Sequence, residues 1–325
     1  MAEPLLEVTD LSVDYLTEAS SVRAVDQVNF TVQAGEFLGI VGESGCGKST
    51  LLFGVSQLLS PPGEVAGGSV IFRGRDMVRM SGEELRGLRW RDYSIVMQSA
   101  MNALNPMKSI GAQFKDTLEA HGSLSTEEIQ HRSAEVLGLV GIDPAHLGSY
   151  PHQLSGGMRQ RAMIAMALLF TPQLVLMDEP TSALDVVAQR SLMSKIKELQ
   201  ESLGFAVIFV THDMSVVSRY SDRVLVMYAG QIAEAAPTDD IFRHPLHPYT
   251  RGLMEAVPSV RGPRRELVGI PGSPPDLARP PTGCRFHPRC PEVMPVCPSH
   301  EPDLIAVGDA EVRCLLYVQQ AKQAV

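Results

Sequence analysis

The sequence contains no apolar stretch that approaches the roughly 20 residues needed to span a bilayer. Its first residues also lack the basic and then apolar segment of a secretory signal. We therefore expect a protein that stays in the cytosol and contacts a membrane only through a partner. Internal repeats and low-complexity tracts are absent as well.

An excess of basic residues is missing too. Lysine and arginine number 28 against 37 aspartates and glutamates, which gives a formal net charge of −9. This balance argues against a general nucleic-acid binder, which would normally have a basic surface, although it leaves room for a local basic patch. A chain of 325 residues, 44% hydrophobic and 20% charged, is typical of a globular protein with one large domain and an appendage, or with two modest domains.

Cysteine is scarce and unevenly placed. Five are present, of which Cys46 lies early in the chain and four fall in its last fifth, at Cys284, Cys290, Cys297 and Cys314. In a reducing compartment, cysteines that cluster in this way favour metal or redox chemistry over disulfides.

A glycine-rich loop is the most informative stretch that the sequence does contain. Residues 42–50 are Gly-Glu-Ser-Gly-Cys-Gly-Lys-Ser-Thr, which matches the phosphate-binding loop pattern. Its glycines allow a tight turn that points N–H groups at phosphate oxygens, Lys48 would reach the β- and γ-phosphates, and Ser49 would complete a Mg²⁺ shell. The candidate nucleotide-binding residues here are Gly42, Ser44, Gly45, Cys46, Gly47, Lys48, Ser49 and Thr50.

The flanking sequence supports this assignment. An apolar run, Phe37–Val41, predicts a strand before the loop, and Ser49–Leu59 predicts a helix with an apolar face after it. Such a helix begins at the phosphates and directs its positive end at them. The alternative is a glycine-rich turn with an incidental lysine. We expect that the chain binds a nucleoside triphosphate.

Two kinds of strand pattern indicate an α/β fold. Helical stretches such as Val186–Ser202 separate several continuously apolar runs, which predicts a parallel core sheet covered on both faces. Alternation in Leu5–Val13 and Val28–Val32, with a short strand at Ser69–Phe72, predicts a small antiparallel sheet. The continuously apolar runs are Ser94–Met97, Leu174–Met177, Ala206–Val210 and Val224–Tyr228.

Residues 101–152 contain no such buried strand, and we expect a mainly helical insertion there. Within it, Thr126–Leu139 has helical spacing, with Ser125 as N-cap and Glu128 completing a capping box. From Pro258 to Pro281 the chain is dense in proline, glycine and arginine. This composition predicts an extended connector before a compact, cysteine-bearing tail.

Polar residues follow three of the predicted buried strands. Asp178 would hold Mg²⁺, directly or through water, and Glu179 would act as general base on the attacking water. Gln98 ends another strand, where it could contact the metal or the γ-phosphate, and His212 lies just beyond a third. The alternatives are an acidic surface loop and a structural histidine. The candidate catalytic residues are therefore Lys48, Glu179 and His212.

The run Tyr150–Arg161, Tyr-Pro-His-Gln-Leu-Ser-Gly-Gly-Met-Arg-Gln-Arg, resembles the signature of ATP-binding-cassette (ABC) ATPases. Gln98, Asp178-Glu179, Ser182–Asp185 and His212 accompany it in the order that this family has. The resemblance implies a P-loop NTPase cassette with a parallel core sheet, an antiparallel β subdomain and a helical insertion. It also implies a dimer with two ATP molecules between the cassettes, each contacted by one subunit's phosphate loop and the other's signature.

The same resemblance implies roles for five further residues. Ser155 would cap the helix that follows it and, with Gly156 and Gly157, present donors to the partner's γ-phosphate. Tyr15 matches the position where the family stacks an aromatic ring on adenine, although packing alone would also explain a tyrosine there. Asp185 resembles the aspartate that links the two sites across the dimer.

Two stretches of the tail, His244–Leu253 and Gly283–Cys290, resemble the C-terminal extension of ATPase subunits in oligopeptide, dipeptide and nickel importers. This resemblance implies a cassette domain at residues 1–235, with a helical subdomain at about 100–160, and an extension at residues 236–325. It implies an ATPase on the cytoplasmic face of the membrane that powers peptide import. Its expected partners are a second cassette, expected to be a paralogue, two transmembrane permease subunits and an extracytoplasmic solute-binding protein.

Other functions stay open at this point. The solute could instead be an oligosaccharide or nickel, since cassettes do not touch the cargo. ABC ATPases that act on DNA or ribosomes carry long coiled-coil insertions or two cassettes per chain, which this sequence lacks. A degenerate cassette is disfavoured because Glu179 and His212 are both present, and an exporter is disfavoured by the tail.

The resemblance further implies a [4Fe–4S] cluster held by the four tail cysteines, since four thiolates saturate such a cluster. Zinc bound by four thiolates is the main rival, although the spacings lack the usual pairs of cysteines two to four residues apart. Free thiols are the third alternative.

Overall fold

The described part of the chain contains both kinds of strand that the sequence patterns indicate, fully buried and half-exposed, together with helices. The computed structural model describes residues 3–16, 21–98, 103–182, 184–256 and 269–318. Its strands are β1 (Leu6–Leu16), β2 (Ser21–Val32), β3 (Phe37–Val41), β4 (Gly63–Phe72), β5 (Arg75–Asp76), β6 (Tyr93–Val96), β7 (Leu174–Asp178), β8 (Ala206–Val210), β9 (Arg223–Tyr228), β10 (Gln231–Pro237), β11 (Ile305–Val307) and β12 (Ala310–Val312). Its helices are α1 (Lys48–Val55), α2 (Gly82–Leu88), α3 (Ile110–His121), α4 (Thr126–Leu139), α5 (Gly156–Ala167), α6 (Val186–Leu203), α7 (Met214–Tyr220), α8 (Thr238–Arg243) and α9 (Pro248–Glu255).

The chain divides into two units, and the first consists mainly of Val32–Phe37 and Arg79–Val210. In this unit β7 lies between β6 and β8, and all three strands are parallel. Every residue of β7 and β8 is buried. The prediction from their continuous apolar runs, that both faces of these strands are covered, is confirmed.

Helices α3 and α4 pack against each other in the first unit and bury a face that includes Phe114 and Val136. Helix α4 begins and ends at the predicted residues. The Ser125 hydroxyl accepts the Glu128 N–H at 3.3 Å, and the Glu128 carboxylate accepts the Ser125 N–H at 2.7 Å. The predicted capping box is therefore confirmed.

The second unit consists of Leu5–Thr31, Leu38–Val78 and Thr211–Val325. One sheet has the strand order β2-β1-β4-β5, with β4 antiparallel to both β1 and β5. Strand β9 is parallel to β3 and antiparallel to β10, after which β12 and β11 follow as antiparallel neighbours. Part of the cysteine-bearing tail is thus built onto the edge of a sheet through β12.

Two kinds of boundary differ from the sequence-based expectation. Strand β1 reaches Leu16 and β4 begins at Gly63, because Tyr15 and Gly63 still pair beyond the apolar segments. Helix α1 ends before the predicted Leu59, since Gln57 has a φ of 53°, outside the helical region.

The first part of the predicted connector, through residue 268, lies outside the described residues. Among those that are described, no helix is both long and apolar enough to cross a membrane.

Candidate nucleotide-binding site

The phosphate loop lies between β3 and α1, as the sequence predicts. A Cβ atom on Gly42 would lie 2.2 Å from the Met227 carbonyl oxygen, and one on Gly47 would lie 2.3 Å from that of Ala24. Gly45 and Gly47 also have φ values of 79° and 103°, which residues with side chains rarely adopt. Glycine is therefore required at Gly42 and Gly47, and the glycines give the loop the tight turn that a phosphate-binding loop needs.

Lys48 is held on the inner side of this loop. Its side chain is buried, and its Nζ donates to the carbonyl oxygens of Gly42 at 2.8 Å and Glu43 at 2.9 Å. The Cys46 Sγ lies 3.8 Å from the same nitrogen. Because burial raises the pKa of Cys46, its thiol stays protonated and does not neutralise the ammonium. The loop therefore concentrates one positive charge where phosphate oxygens are expected.

Tyr15 lies beside the helix that follows the loop. Its hydroxyl oxygen is 3.3 Å from the Thr50 Oγ1. Its ring lies against the backbone of Gly63, where an added Cβ would come within 2.9 Å of the tyrosine Cε1. The ring is half-buried, and Ser49 next to Thr50 is half-buried as well. The tyrosine is thus fixed near the start of α1, which suits both adenine stacking and packing.

A carboxylate pair lies at the end of β7 in the first unit. Asp178 is the last residue of this strand and is only 2% exposed. Glu179 follows with a φ of 44°, and its N–H donates to the Val210 carbonyl oxygen at 2.9 Å. The Gln98 Nε2 donates to the Glu179 Oε2 at 3.1 Å. A non-glycine residue in the left-handed region is a feature found at functional sites.

The signature segment begins α5 in the same unit. The exposed Ser155 is the N-cap, and its hydroxyl accepts the Met158 N–H at 3.3 Å. Gly156 and Gly157 form the first turn, where helical N–H groups have no intrahelical partner. The Gln160 Nε2 donates to the Pro180 carbonyl oxygen at 2.6 Å, which connects α5 to the segment after Glu179.

Asp185 and His212 are the remaining predicted site residues. The Asp185 Oδ1 accepts the N–H groups of Val187 and Ala188 at 3.0 and 2.9 Å, so this carboxylate caps α6. Cap formation is a local role that the sequence reasoning missed. His212 is exposed and follows β8 after one residue. Ala183, within the predicted Ser182–Asp185 segment, lies outside the described residues.

Two residues that sequence reasoning missed, Arg289 and Tyr249, contact the phosphate loop. The two side-chain amino groups of Arg289 donate to the carboxylate of Glu43, and the Tyr249 hydroxyl accepts the Glu43 N–H. The acidic residue inside an anion-binding loop was a signal that a cation is needed nearby. Nothing in the spacing of the sequence identifies Arg289 as that cation.

Comparison with known proteins shows the family of this chain. Residues 25–182 match the family described as ABC transporter, and residues 233–297 match the oligopeptide/dipeptide transporter, C-terminal region. The dipeptide transport ATP-binding protein DppD of Caldanaerobacter subterraneus subsp. tengcongensis is 43% identical over 96% of this chain and 97% of that protein. The chain belongs to the ABC ATPases of the oligopeptide and dipeptide transporter family. The predicted family is thereby confirmed.

Further ABC relatives agree with this assignment. The oligopeptide transport ATP-binding protein OppD of Salmonella typhimurium is 44% identical over 96% of this chain and 93% of that protein. The ATP-binding cassette MJ0796, solved as a dimer in a post-hydrolysis state bound to ADP and Pi, has a TM-score of 0.64 and 28% identity over 72% of this chain and 98% of its own. The cbiO1 structure from Clostridium perfringens has a TM-score of 0.65 and 27% identity over 75% of this chain and 92% of its own. The predicted α/β cassette fold is confirmed.

The predicted iron–sulfur cluster is wrong. Within residues 3–318, apart from the gaps given above, no group of three or more His, Cys, Asp or Glu side chains could hold a metal ion. The family relatives are named only as ATP-binding transport proteins. Burial raises the pKa of Cys290 to about 11 and that of Cys314 to about 12, and it also raises the pKa of Cys284. The absence of a metal-holding group among the described residues also argues against the rival zinc site. The four tail cysteines, Cys284, Cys290, Cys297 and Cys314, are free thiols, as is Cys46.

Proposed function

We propose that the chain hydrolyses ATP on the cytoplasmic face of a membrane and thereby powers the import of peptides. One observation carries the proposal: a phosphate loop with a buried lysine occurs in the same chain as a C-terminal region of the oligopeptide/dipeptide transporter type. The names of full-length relatives, dipeptide and oligopeptide transport ATP-binding proteins, support peptides as the solute.

The loop supplies the contacts to the phosphates of ATP. Its N–H groups donate to phosphate oxygens, and the Lys48 ammonium neutralises part of their charge. Apart from its two chain neighbours, no described residue has a heavy atom within 4 Å of an ideal Cβ on Gly45, which supports an approach of the phosphates from this side. Tyr15 stacks on the adenine ring. The other loop residues in contact are Gly42, Ser44, Cys46, Gly47, Ser49 and Thr50.

The strand-end residues complete the chemistry. Ser49, Gln98 and Asp178 present hydroxyl, amide and carboxylate oxygens, which are the hard donors that Mg²⁺ prefers. When bound, Mg²⁺ neutralises charge on the β- and γ-phosphates. Because the Gln98 Nε2 donates to Glu179, its Oε1 is the atom left for the metal. Glu179 accepts a proton from the attacking water, and His212 acts on the γ-phosphate side.

A second cassette completes each site in this proposal. Ser155, Gly156 and Gly157 offer a hydroxyl and helix N-terminal donors to the γ-phosphate held by the partner's loop. Asp185 links the two sites across the dimer. The dimer of the MJ0796 cassette, at 28% identity, supports this arrangement. The remaining partners are two transmembrane permease subunits and an extracytoplasmic solute-binding protein.

Ser155→Ala is expected to lower ATP hydrolysis by about tenfold, because it removes one hydroxyl donor to the charged γ-phosphate. Ser125→Ala is the matched control, since Ser125 caps α4 with the same 3.3 Å bond to the third helical N–H. Both variants lose one N-cap, so their melting temperatures should fall equally. Steady-state ATPase rates of the dimer separate the two, and an equal loss of activity would assign Ser155 a capping role alone.

Mixed dimers of this chain test the cross-subunit arrangement. In the first pairing, one copy carries Ser155→Ala and the other carries Lys48→Ala, and one intact site should remain. In the second pairing, a wild-type copy is combined with a copy that carries both substitutions, and no intact site should remain. The ATPase rate should therefore be higher in the first pairing. A higher rate in the second pairing would show that loop and signature of the same subunit act together.

The transport function predicts ATP-dependent uptake of peptides. The complex purified from its native membrane and reconstituted in proteoliposomes, with ATP on the cassette side, should accumulate a labelled peptide. Accumulation of a labelled oligosaccharide or of Ni²⁺ in place of the peptide would contradict the peptide assignment and leave the ATPase role intact. A chain that co-purifies without permease subunits would contradict the transporter role itself.

A further inference from the structure

The C-terminal extension, residues 236–325, is hydrogen-bonded to the phosphate loop at Glu43. Glu43 contacts the extension through its N–H group and its carboxylate, and it contacts Lys48 through its carbonyl oxygen. Its N–H donates to the Tyr249 hydroxyl at 2.9 Å, and its carboxylate accepts from the two amino groups of Arg289 at 2.7 and 2.9 Å. Its carbonyl oxygen accepts from the Lys48 Nζ at 2.9 Å. One residue therefore joins the extension to the lysine that the proposed function places on the phosphates.

Arg289 is rigidly held. Its side chain is 6% exposed, and its Nε donates to the Pro271 carbonyl oxygen at 2.8 Å. Its guanidinium carbon lies 5.8 Å from the centre of the Tyr228 ring. The hydrogen bonds to Glu43 raise the pKa of Arg289, so the guanidinium stays charged. A two-pronged guanidinium–carboxylate pair fixes the orientation of both groups.

Tyr249 is held equally firmly. It is fully buried near the start of α9, and its N–H donates to the His247 Nδ1 at 3.0 Å. Its ring centre lies 4.6 Å from that of Tyr228 and 5.4 Å from that of Phe286, within the range of favourable aromatic pairs. The tyrosine hydroxyl thus reaches the loop from a rigid aromatic cluster.

The loop is also tied at its other end. The Gly230 N–H donates to the Cys46 carbonyl oxygen at 2.9 Å. Arg285, from the extension, donates to the Ala229 carbonyl oxygen at 2.5 Å and to the Asp26 carboxylate. Arg285 is therefore bonded to Ala229, the residue before Gly230, which holds this end of the loop.

A carboxylate in this position needs a counter-charge. Glu43 lies inside a loop that binds the negatively charged phosphates in the proposed function, and its side chain is 23% exposed. A glutamate left unpaired there would repel ATP and would be free to draw the Lys48 ammonium toward itself. The two hydrogen bonds from Arg289 neutralise this charge and keep the carboxylate from attracting the Lys48 ammonium.

We propose that Arg289 and Tyr249 are positioning residues of the ATP site, which fix and neutralise Glu43 so that Lys48 faces the phosphates. The proposal rests on the proposed function of Lys48. It makes the extension a part of the ATP-binding machinery, with its influence exerted through the geometry and charge of the loop.

The test measures the dissociation constant of ATP, with Mg²⁺, on the full chain by calorimetric titration. Arg289→Ala should weaken ATP binding by about tenfold, because it leaves the Glu43 charge unpaired beside the phosphates. Adding Glu43→Gln in the same chain should restore binding to within about threefold of wild type, since the repelling charge is gone. If Arg289 had a purely structural role, the double variant would bind ATP no more tightly than Arg289→Ala alone.

Glu292→Gln is the matched control. It breaks another ion pair of the extension, which joins Glu292 to Arg251 at 2.6 Å. The other hydrogen bonds of Arg251 are to residues within the extension itself. ATP binding should stay at the wild-type level in this variant. A loss as large as that of Arg289→Ala would overturn the proposal, because any damage to the extension would then suffice.

Two milder variants keep the test decisive where Arg289→Ala does not fold. Arg289→Lys keeps the positive charge and loses the paired hydrogen bonds of the guanidinium. Tyr249→Phe removes only the hydroxyl that accepts the Glu43 N–H. Each should weaken ATP binding by about threefold. Wild-type affinity in both would overturn the proposal. If Lys48→Ala also binds ATP as wild type does, the proposed function of the loop fails, and that result is distinct from a failure of the Arg289 variants alone.

Discussion

Glu179→Gln is expected to reduce ATP hydrolysis by about 10²- to 10⁴-fold, the contribution typical of a general base, while ATP binding is retained. The substitution keeps the size and shape of the side chain and replaces the carboxylate with an amide that cannot accept a proton. The backbone of Glu179 has a φ of 44°, and glutamine meets the same conformational restriction as glutamate, so the loss should not reflect a change of fold.

The measurement pairs the steady-state ATPase rate with the ATP dissociation constant and the oligomeric state in the presence of ATP. Because ATP binds without turnover, the variant should accumulate as a closed dimer. Glu198→Gln, on the exposed face of α6 where Glu198 pairs with Lys195 at 2.8 Å, is the control and should keep wild-type activity. An ATPase rate near wild type in Glu179→Gln would show that another group activates the water.

Lys48→Ala is expected to weaken ATP binding by about 10²-fold, since hydrogen bonds to charged groups contribute about 1.5–3 kcal/mol each and each 1.4 kcal/mol is a factor of ten. Lys48 is the buried cation of the loop and would contact two phosphate groups in the proposed function. The substitution also removes the donor to the carbonyl oxygens of Gly42 and Glu43.

A calorimetric titration with ATP checks this expectation, and the melting temperature without nucleotide shows whether the loop remains folded. Lys195→Ala, which removes a partly exposed lysine from α6, is the matched control and should bind ATP like wild type. Tight ATP binding by a folded Lys48→Ala chain would contradict the assignment of the loop.

Much of the core could be predicted from local patterns. A strand such as Ala206–Val210 has five apolar residues in succession because both of its faces are covered, and the structure has it with these bounds. The start of helix α4 could be predicted because its capping box lies within four neighbouring residues, and helical spacing predicted its end. Motifs of contiguous residues, including the phosphate loop and the signature, are equally visible in a sequence.

Contacts between distant parts of the chain could not be predicted. Glu43 and Arg289 are 246 residues apart, and no periodicity relates them. The tail cysteines illustrate the same limit, because their number suits a cluster while the structure offers no metal-holding group among its described residues. Asp185 shows that a motif residue can have a local role in addition, since capping α6 already uses its carboxylate.

The most direct measurement is peptide uptake by the reconstituted transporter in which this chain carries Glu179→Gln. Proteoliposomes with the wild-type chain should accumulate labelled peptide when ATP is supplied on the cassette side. Those with the variant should bind ATP and accumulate none beyond the level without ATP. Uptake at the wild-type rate in the variant would contradict the claim that ATP hydrolysis by this chain powers import.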